Sequence, residues 1–92
     1  MKVNRLELET VRELVEVSGK RVVEMGCGDG RFTYLYADDS AYVLGIDPQR
    51  GRIDEARRAR PAALAERVRF RVAETISPPR RPFDLALFSW SL

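Results

Sequence analysis

The sequence contains no histidine, and its single cysteine is Cys27. The absence of histidine removes the commonest general base and the commonest metal ligand. One thiol cannot close an intramolecular disulfide. No metal site is expected, so chemistry falls to carboxylates, hydroxyls, the backbone or a cofactor. No apolar run approaches the length that spans a bilayer, and Met1 to Thr10 lacks the pattern of a secretory signal. The expected compartment is therefore the cytoplasm, with no membrane partner. There is no repeat, no low-complexity tract and no linker. Lysine is scarce as well, occurring only at Lys2 and Lys20, so arginine supplies nearly all of the 16 basic residues.

What is present fits one small domain. A chain of 92 residues holds a single domain at most, with a modest core and marginal stability. Its 45% hydrophobic and 33% charged residues describe a globular chain, not a disordered one. Many arginines lie between Arg50 and Arg71. They offer a basic face to an anionic partner such as a nucleic acid. With 14 acids against 16 bases, however, a solvated helix face and strand edge is the favoured reading.

Hydrophobic spacing alternates between helix and strand. Leu8, Val11, Leu14 and Val15 recur at helical intervals among acids and arginine, which predicts a leading helix within residues 1–19 that stops near Ser18-Gly19. Arg21 to Met25 reads as a first strand running into glycines, followed by a short helix from about Arg31 to Tyr36. Ala41 to Ile46 is a second buried strand. Pro48 suits the first turn of a helix that runs to about Ala59 and turns Ile53 and Ala56 inward. Pro61 interrupts that helix or starts a second turn. From Arg67 to Val72 arginine and apolar residues alternate strictly, the pattern of an edge strand with one solvated face. Pro78, Pro79 and Pro82 mark a loop. Phe83 to Phe88 is a fourth strand, apolar on both faces in the manner of a central strand. Strands alternating with helices imply right-handed crossovers and a parallel sheet. Doubly wound, the order is 3-2-1-4, which leaves the apolar fourth strand as a bare edge: an aggregation hazard, a homodimer contact or a partner's docking surface.

The chemistry-bearing residues gather where the strands end. Gly26-Cys27-Gly28-Asp29-Gly30 follows a strand and precedes a helix, where glycines let a ligand approach the backbone. Asp47 ends the second strand 21 residues after Gly26. A carboxylate there can accept both hydroxyl protons of a ribose, or cap the following helix. Glu24, Asp29, Asp47 and Glu74 all fall at or just past carboxyl ends of strands. Such a ring of acids repels a pyrophosphate and suits a cation or polyol. The dinucleotide pattern also wants its third glycine where Arg31 stands. A sulfonium ligand carrying an ammonium group and a ribose fits better than a nicotinamide dinucleotide.

Together these residues resemble a known family. Glu24-Met25-Gly26-Cys27-Gly28-Asp29-Gly30 is similar to motif I of the class I S-adenosylmethionine-dependent methyltransferases. Asp47 matches the family's acid after the second strand. Ala73-Glu74 matches its residue pair near the adenine, and Phe83-Asp84-Leu85-Ala86-Leu87 resembles its fourth strand. The resemblance runs from about Lys20 to the C-terminus. It implies a Rossmann-like three-layer αβα sandwich with S-adenosyl-L-methionine as cofactor. Gly26, Cys27, Gly28 and Gly30 would line the methionine portion, and Glu24 would help hold its amino group. Asp47 would hold the ribose, with Ile46 or Pro48 flanking the adenine. Glu74 would approach the adenine amino group, with Thr75 and Ile76 beside the ring. Ser89 lies where family backbone carbonyls reach the methionine ammonium.

Two departures are conservative: Glu24 and Glu74 stand where aspartate is commoner. The third is length, since four strands replace the family's seven. The implied activity is methyl transfer to an acceptor, a small molecule by preference, with residues 1–92 supplying the cofactor-binding half. A module that binds the cofactor without turnover, or a partner-docking fragment, is the first alternative; an NAD(P)-dependent oxidoreductase is the second. No catalytic residue is assigned. Asp84 reads as structural, Cys27 as a small residue in a crowded turn, and Tyr34, Tyr36 and Tyr42 as core aromatics. Trp90 reads as a hydrophobic anchor.

Overall fold

A computed structural model describes residues 17–76 and 81–89. The expected leading helix, the Pro78-Pro79 loop and Trp90 lie outside those residues. Four strands form one parallel sheet: β1 (Arg21–Met25), β2 (Tyr42–Asp47), β3 (Val68–Val72) and β4 (Leu85–Phe88), in the order β3-β2-β1-β4. This is the order expected from the alternating pattern. Helix α1 (Thr33–Tyr36) continues into a 3-10 turn over Ala37–Asp39. Helix α2 spans Arg50–Ala59. It starts two residues later than the Pro48 signal suggests, because the Asp47 carboxylate binds the Gln49 N–H at 2.9 Å and turns the chain first. Pro61 does start a second turn, a 3-10 segment over Ala62–Leu64. Gly19 takes a left-handed φ of 70°.

Alternation along the strands sends Val22, Val43, Val68, Phe70 and Leu87 to one sheet face. There they form a single buried cluster with Phe32, Tyr36, Ala37, Ile53, Ala56 and Leu64. Every described helical segment adds to this cluster. On the opposite face Val23, Leu44 and Ile46 are buried, whereas Arg69, Arg71, Ala86 and Phe88 are exposed. No helix among the described residues covers that face. The β3 stripe is therefore as expected, with arginines out and Val68 and Phe70 in. Strand β4 is not central: it pairs with β1 and leaves Phe88 65% exposed. Its start is tied to β1 by the Arg21 N–H donating to the Asp84 carboxylate (2.9 Å) and the Asp84 N–H donating to the Arg21 carbonyl (2.7 Å). The guanidinium of Arg21 lies against the Tyr42 and Phe83 rings, so Asp84 is structural, at the end of the sheet away from the glycine loop.

Arg57 in the last turn of α2 and Arg60 just past its end have a role that neither sequence reading anticipated. Arg67 directs its carbonyl to β2, where the Val43 N–H binds it, so the carbonyls of Val68 and Phe70 face the open edge of β3. Arg60 donates to the first at 2.9 Å and Arg57 to the second at 2.8 Å. These guanidinium groups occupy acceptors that would otherwise template a foreign strand. The Arg57→Ala/Arg60→Ala double variant should lose about 1–3 kcal/mol, two hydrogen bonds' worth, and should aggregate sooner on heating. Unchanged light scattering through the melt would show that the edge needs no such guard.

Candidate functional site

The loop after β1 is held by the backbone before any ligand arrives. The Gly26 and Cys27 N–H groups share the Ile46 carbonyl (2.8 and 3.0 Å), and the Gly30 N–H reaches the Cys27 carbonyl at 3.0 Å. Gly26, Gly28 and Gly30 take φ of 71°, 57° and 84°, values that side chains disfavour. Gly30 is also sterically required: a Cβ there would lie 3.0 Å from Tyr34, 3.2 Å from Phe70 and 3.3 Å from Ala56. It thus packs against α1, β3 and α2.

Two cavities meet at this loop. A polar one of about 220 Å³ is lined by Gly26, Cys27, Gly28, Asp29 and Ser89 together with Arg31, Phe32, Asp47, Gln49 and Arg52. A more apolar one of about 350 Å³ is lined by Gly26, Asp47, Pro48, Gln49, Ala73 and Glu74. Asp47 stands at the junction, only 8% exposed. Its Oδ2 accepts the Gly28 N–H at 3.1 Å and its Oδ1 the Gln49 N–H at 2.9 Å. Each carboxylate oxygen retains a further lone-pair direction, so the group is oriented and still able to accept two hydroxyls. The Asp47 side chain does shape the turn before α2, and this leaves its binding capacity intact.

Glu24 is placed elsewhere. It is fully buried behind the loop and lines neither cavity. Its Oε1 accepts hydroxyl protons from Thr33 (2.8 Å) and Tyr36 (2.5 Å), and its Oε2 accepts one from Ser89 (2.5 Å). Burial raises the Glu24 pKa from its ordinary value, against the pull of the three hydroxyls. The Tyr36 phenol is raised by burial and by Glu24.

Cys27 lines the polar cavity, yet burial, with Glu24 and Asp47 nearby, pushes its thiol up to about 12. A thiol so held stays protonated and is no nucleophile. Iodoacetamide near pH 8 should modify the folded chain far more slowly than the urea-unfolded chain. Equal rates would contradict this.

Of the sequence-selected residues, the fold therefore brings Gly26, Cys27, Gly28, Asp47 and Ser89 to the polar cavity, and Pro48 and Glu74 to the apolar one. Thr75 is exposed and, like Gly30 and Glu24, lines neither. The expected ring of acids needs correction: Asp29 and Asp47 share the polar cavity with Arg31 and Arg52, so its walls carry both signs. The Arg52 guanidinium lies 3.6–3.8 Å from where a Gly28 Cβ would stand. Residues that sequence reasoning did not select include Arg31, Gln49 and Arg52, for which no local signal existed. Thr33 and Tyr36 left a faint one: hydroxyls three apart on the buried side of a helix, following a strand with an inward acid.

A family model described as a methyltransferase domain matches residues 22–92. The chain belongs to this methyltransferase-domain family. Aklanonic acid methyltransferase DauC from Streptomyces sp. (strain C5) is 36% identical to it over 90 residues, which cover 88% of this chain and 41% of the relative. The fold is shared with an S-adenosylmethionine-dependent methyltransferase from Mesorhizobium loti at 31% identity and a TM-score of 0.73, covering 89% of this chain and 38% of that one. The cyclase SpnF superposes equally well, with 29% identity and a TM-score of 0.73 over 89% of this chain and 32% of that one. The chain thus spans well under half the length of these relatives.

Proposed function

We propose that this chain binds S-adenosyl-L-methionine across the two cavities and supplies the cofactor-binding half of an enzyme that methylates a small-molecule acceptor. The observation that carries the reading is the placement of Asp47, a backbone-oriented carboxylate where a polar cavity meets an apolar one. An adenosyl ligand has the same division, with polar groups beyond the ribose on one side and an apolar ring on the other. Asp47 would accept the ribose hydroxyls. Pro48, Ala73 and Glu74 would flank the adenine. Gly26, Cys27, Gly28 and Ser89 would bound the methionine portion, with Arg31 or Arg52 within the same cavity for its carboxylate. Support for a small acceptor comes from the aklanonic acid enzyme, and support for the cofactor from the Mesorhizobium loti enzyme.

When bound, the cofactor supplies an electrophilic methyl group on a good leaving group. The residues here bind it, orient it and shape the cavity; none is placed as a general base. The arginines weaken the electrostatic case against a nicotinamide dinucleotide. The glycine spacing and the family membership still count against it.

A thermal-shift comparison tests the proposal. S-adenosylhomocysteine should raise the melting temperature in a concentration-dependent way, and NADH should not. The opposite ranking would overturn it. A second reading, binding without methyl transfer, has the cyclase relative in its favour. Cofactor binding with no methyl transfer to any small acceptor would support that alternative.

A further inference from the structure

We propose that Glu24 is a positioning residue that acts through the Ser89 hydroxyl to set the cation affinity of the polar cavity, so that binding of a ligand ammonium there is linked to proton release from Glu24. This rests on the adenosyl-ligand reading of the same site and adds a regulation to it.

Ser89 Oγ lies 2.5 Å from Glu24 Oε2 and 3.1 Å from the Gly26 carbonyl oxygen. A hydroxyl has one proton to donate. With Glu24 ionised, the proton goes to the carboxylate. Ser89 then turns lone pairs outward beside the Gly26 carbonyl, and a negative charge lies behind both. Both residues line the polar cavity, so that wall is all acceptor and suits an ammonium group. With Glu24 protonated, its own O–H donates to Ser89, and the Ser89 proton swings to the Gly26 carbonyl. The wall loses an acceptor and the charge. A cation in the cavity therefore favours the ionised state, and by reciprocity ionisation favours the cation.

The surroundings single out Glu24 as the group that exchanges the proton. From α1 it meets Thr33 and Tyr36. From the loop it feels Cys27, and its strand partners Gly45 on β2 and Leu87 on β4 carry no charge. The phenol and the thiol are both pushed up and stay neutral, and burial raises Glu24 towards neutrality. Across the cavity Asp29, Asp47, Arg31 and Arg52 face the loop. A folded pKa above the ordinary 4.5 also makes a stability statement. Glu24's contribution is fully present below the unfolded value and is lost as pH rises through the folded one. Unliganded stability should therefore fall over that window.

Calorimetry of the full chain in buffers of different ionisation enthalpy tests this, with S-adenosylhomocysteine and with 5′-methylthioadenosine, which lacks the ammonium. S-adenosylhomocysteine should bind more tightly as pH rises through the range in which Glu24 ionises in the unliganded chain, by up to about tenfold per unit, with net proton release. Deprotonation of the ligand's own amino group would act in the opposite direction. The control ligand should show neither effect. Glu24→Gln keeps an oxygen for Thr33 and Tyr36 and an N–H for Ser89, fixing the protonated arrangement. It should fold, lose the pH slope and bind S-adenosylhomocysteine more weakly than wild type near pH 8. Should the first variant fail to fold, Ser89→Ala, which removes the acceptor and leaves the charge, should reduce the slope. Tight S-adenosylhomocysteine binding without proton release, or the full wild-type slope retained in either variant, would overturn the proposal. Failure of both ligands to bind would instead remove the adenosyl site on which it rests.

Discussion

Asp47→Ala is expected to weaken S-adenosylhomocysteine binding by about 1–3 kcal/mol, one to two orders of magnitude in Kd, the cost of leaving buried polar groups without their partner. Two losses combine. The ribose hydroxyls lose their acceptor at the junction of the cavities. The Gly28 and Gln49 N–H groups, now bound at 3.1 and 2.9 Å, lose theirs, so the loop and the start of α2 loosen together. Asp47→Asn separates the two: one amide oxygen can keep a backbone N–H, but the group cannot accept both hydroxyls. Isothermal calorimetry on both variants should therefore find weak binding in each, with a smaller loss of thermal stability for Asn. Affinity unchanged in Asp47→Ala would remove the ribose assignment.

Gly45→Ala should be the most damaging single methyl group in the described core. A Cβ there would stand 2.9 Å from Cys27 Sγ, 2.9 Å from a Phe70 ring carbon and 3.0 Å from Cys27 Cβ. None of these can retreat, because β2 is paired on both sides and Phe70 is buried. Overpacking of this kind costs about 1–3 kcal/mol, and each kcal/mol lowers Tm by about 4–8 °C in a domain of this size. Combining it with Cys27→Gly removes two of the three clashes and should restore part of the loss in a double-mutant cycle. An unshifted melting curve for Gly45→Ala would mean that the loop does not pack down on β2.

Gly45 also illustrates what the sequence could not disclose. It reads as one small residue in an apolar strand; its importance comes from Cys27 and Phe70 meeting over it, from the loop and from β3. The strands and their order were legible because arginine alternation, apolar runs and glycine punctuation are local signals. The same holds for the loop and for Asp47, whose spacing from Gly26 carries the chemistry. The Glu24 cluster was not legible, because Ser89 lies 65 residues away and joins it only when β4 pairs with β1. The acid that opens motif I was expected to help hold a ligand amino group, directly or through water; the three hydroxyls that enclose it left no comparable signal. Arg57 and Arg60 were likewise illegible, since a basic helix face looks the same whether it faces water or caps strand carbonyls. The order placed strand β4 at an edge although both its faces are apolar, and among the described residues no helix covers its second face.

The most direct test of the site is an amide chemical-shift titration with S-adenosylhomocysteine. Gly26, Gly28, Gln49, Ala73 and Glu74, around the joined cavities, should shift together with one affinity, while Gly19 and Lys20 at the opposite end of β1 stay in place. Saturable shifts centred on Gly19 and Lys20, or none among the glycine-loop amides at millimolar ligand, would contradict the assignment of an adenosyl ligand to this cleft.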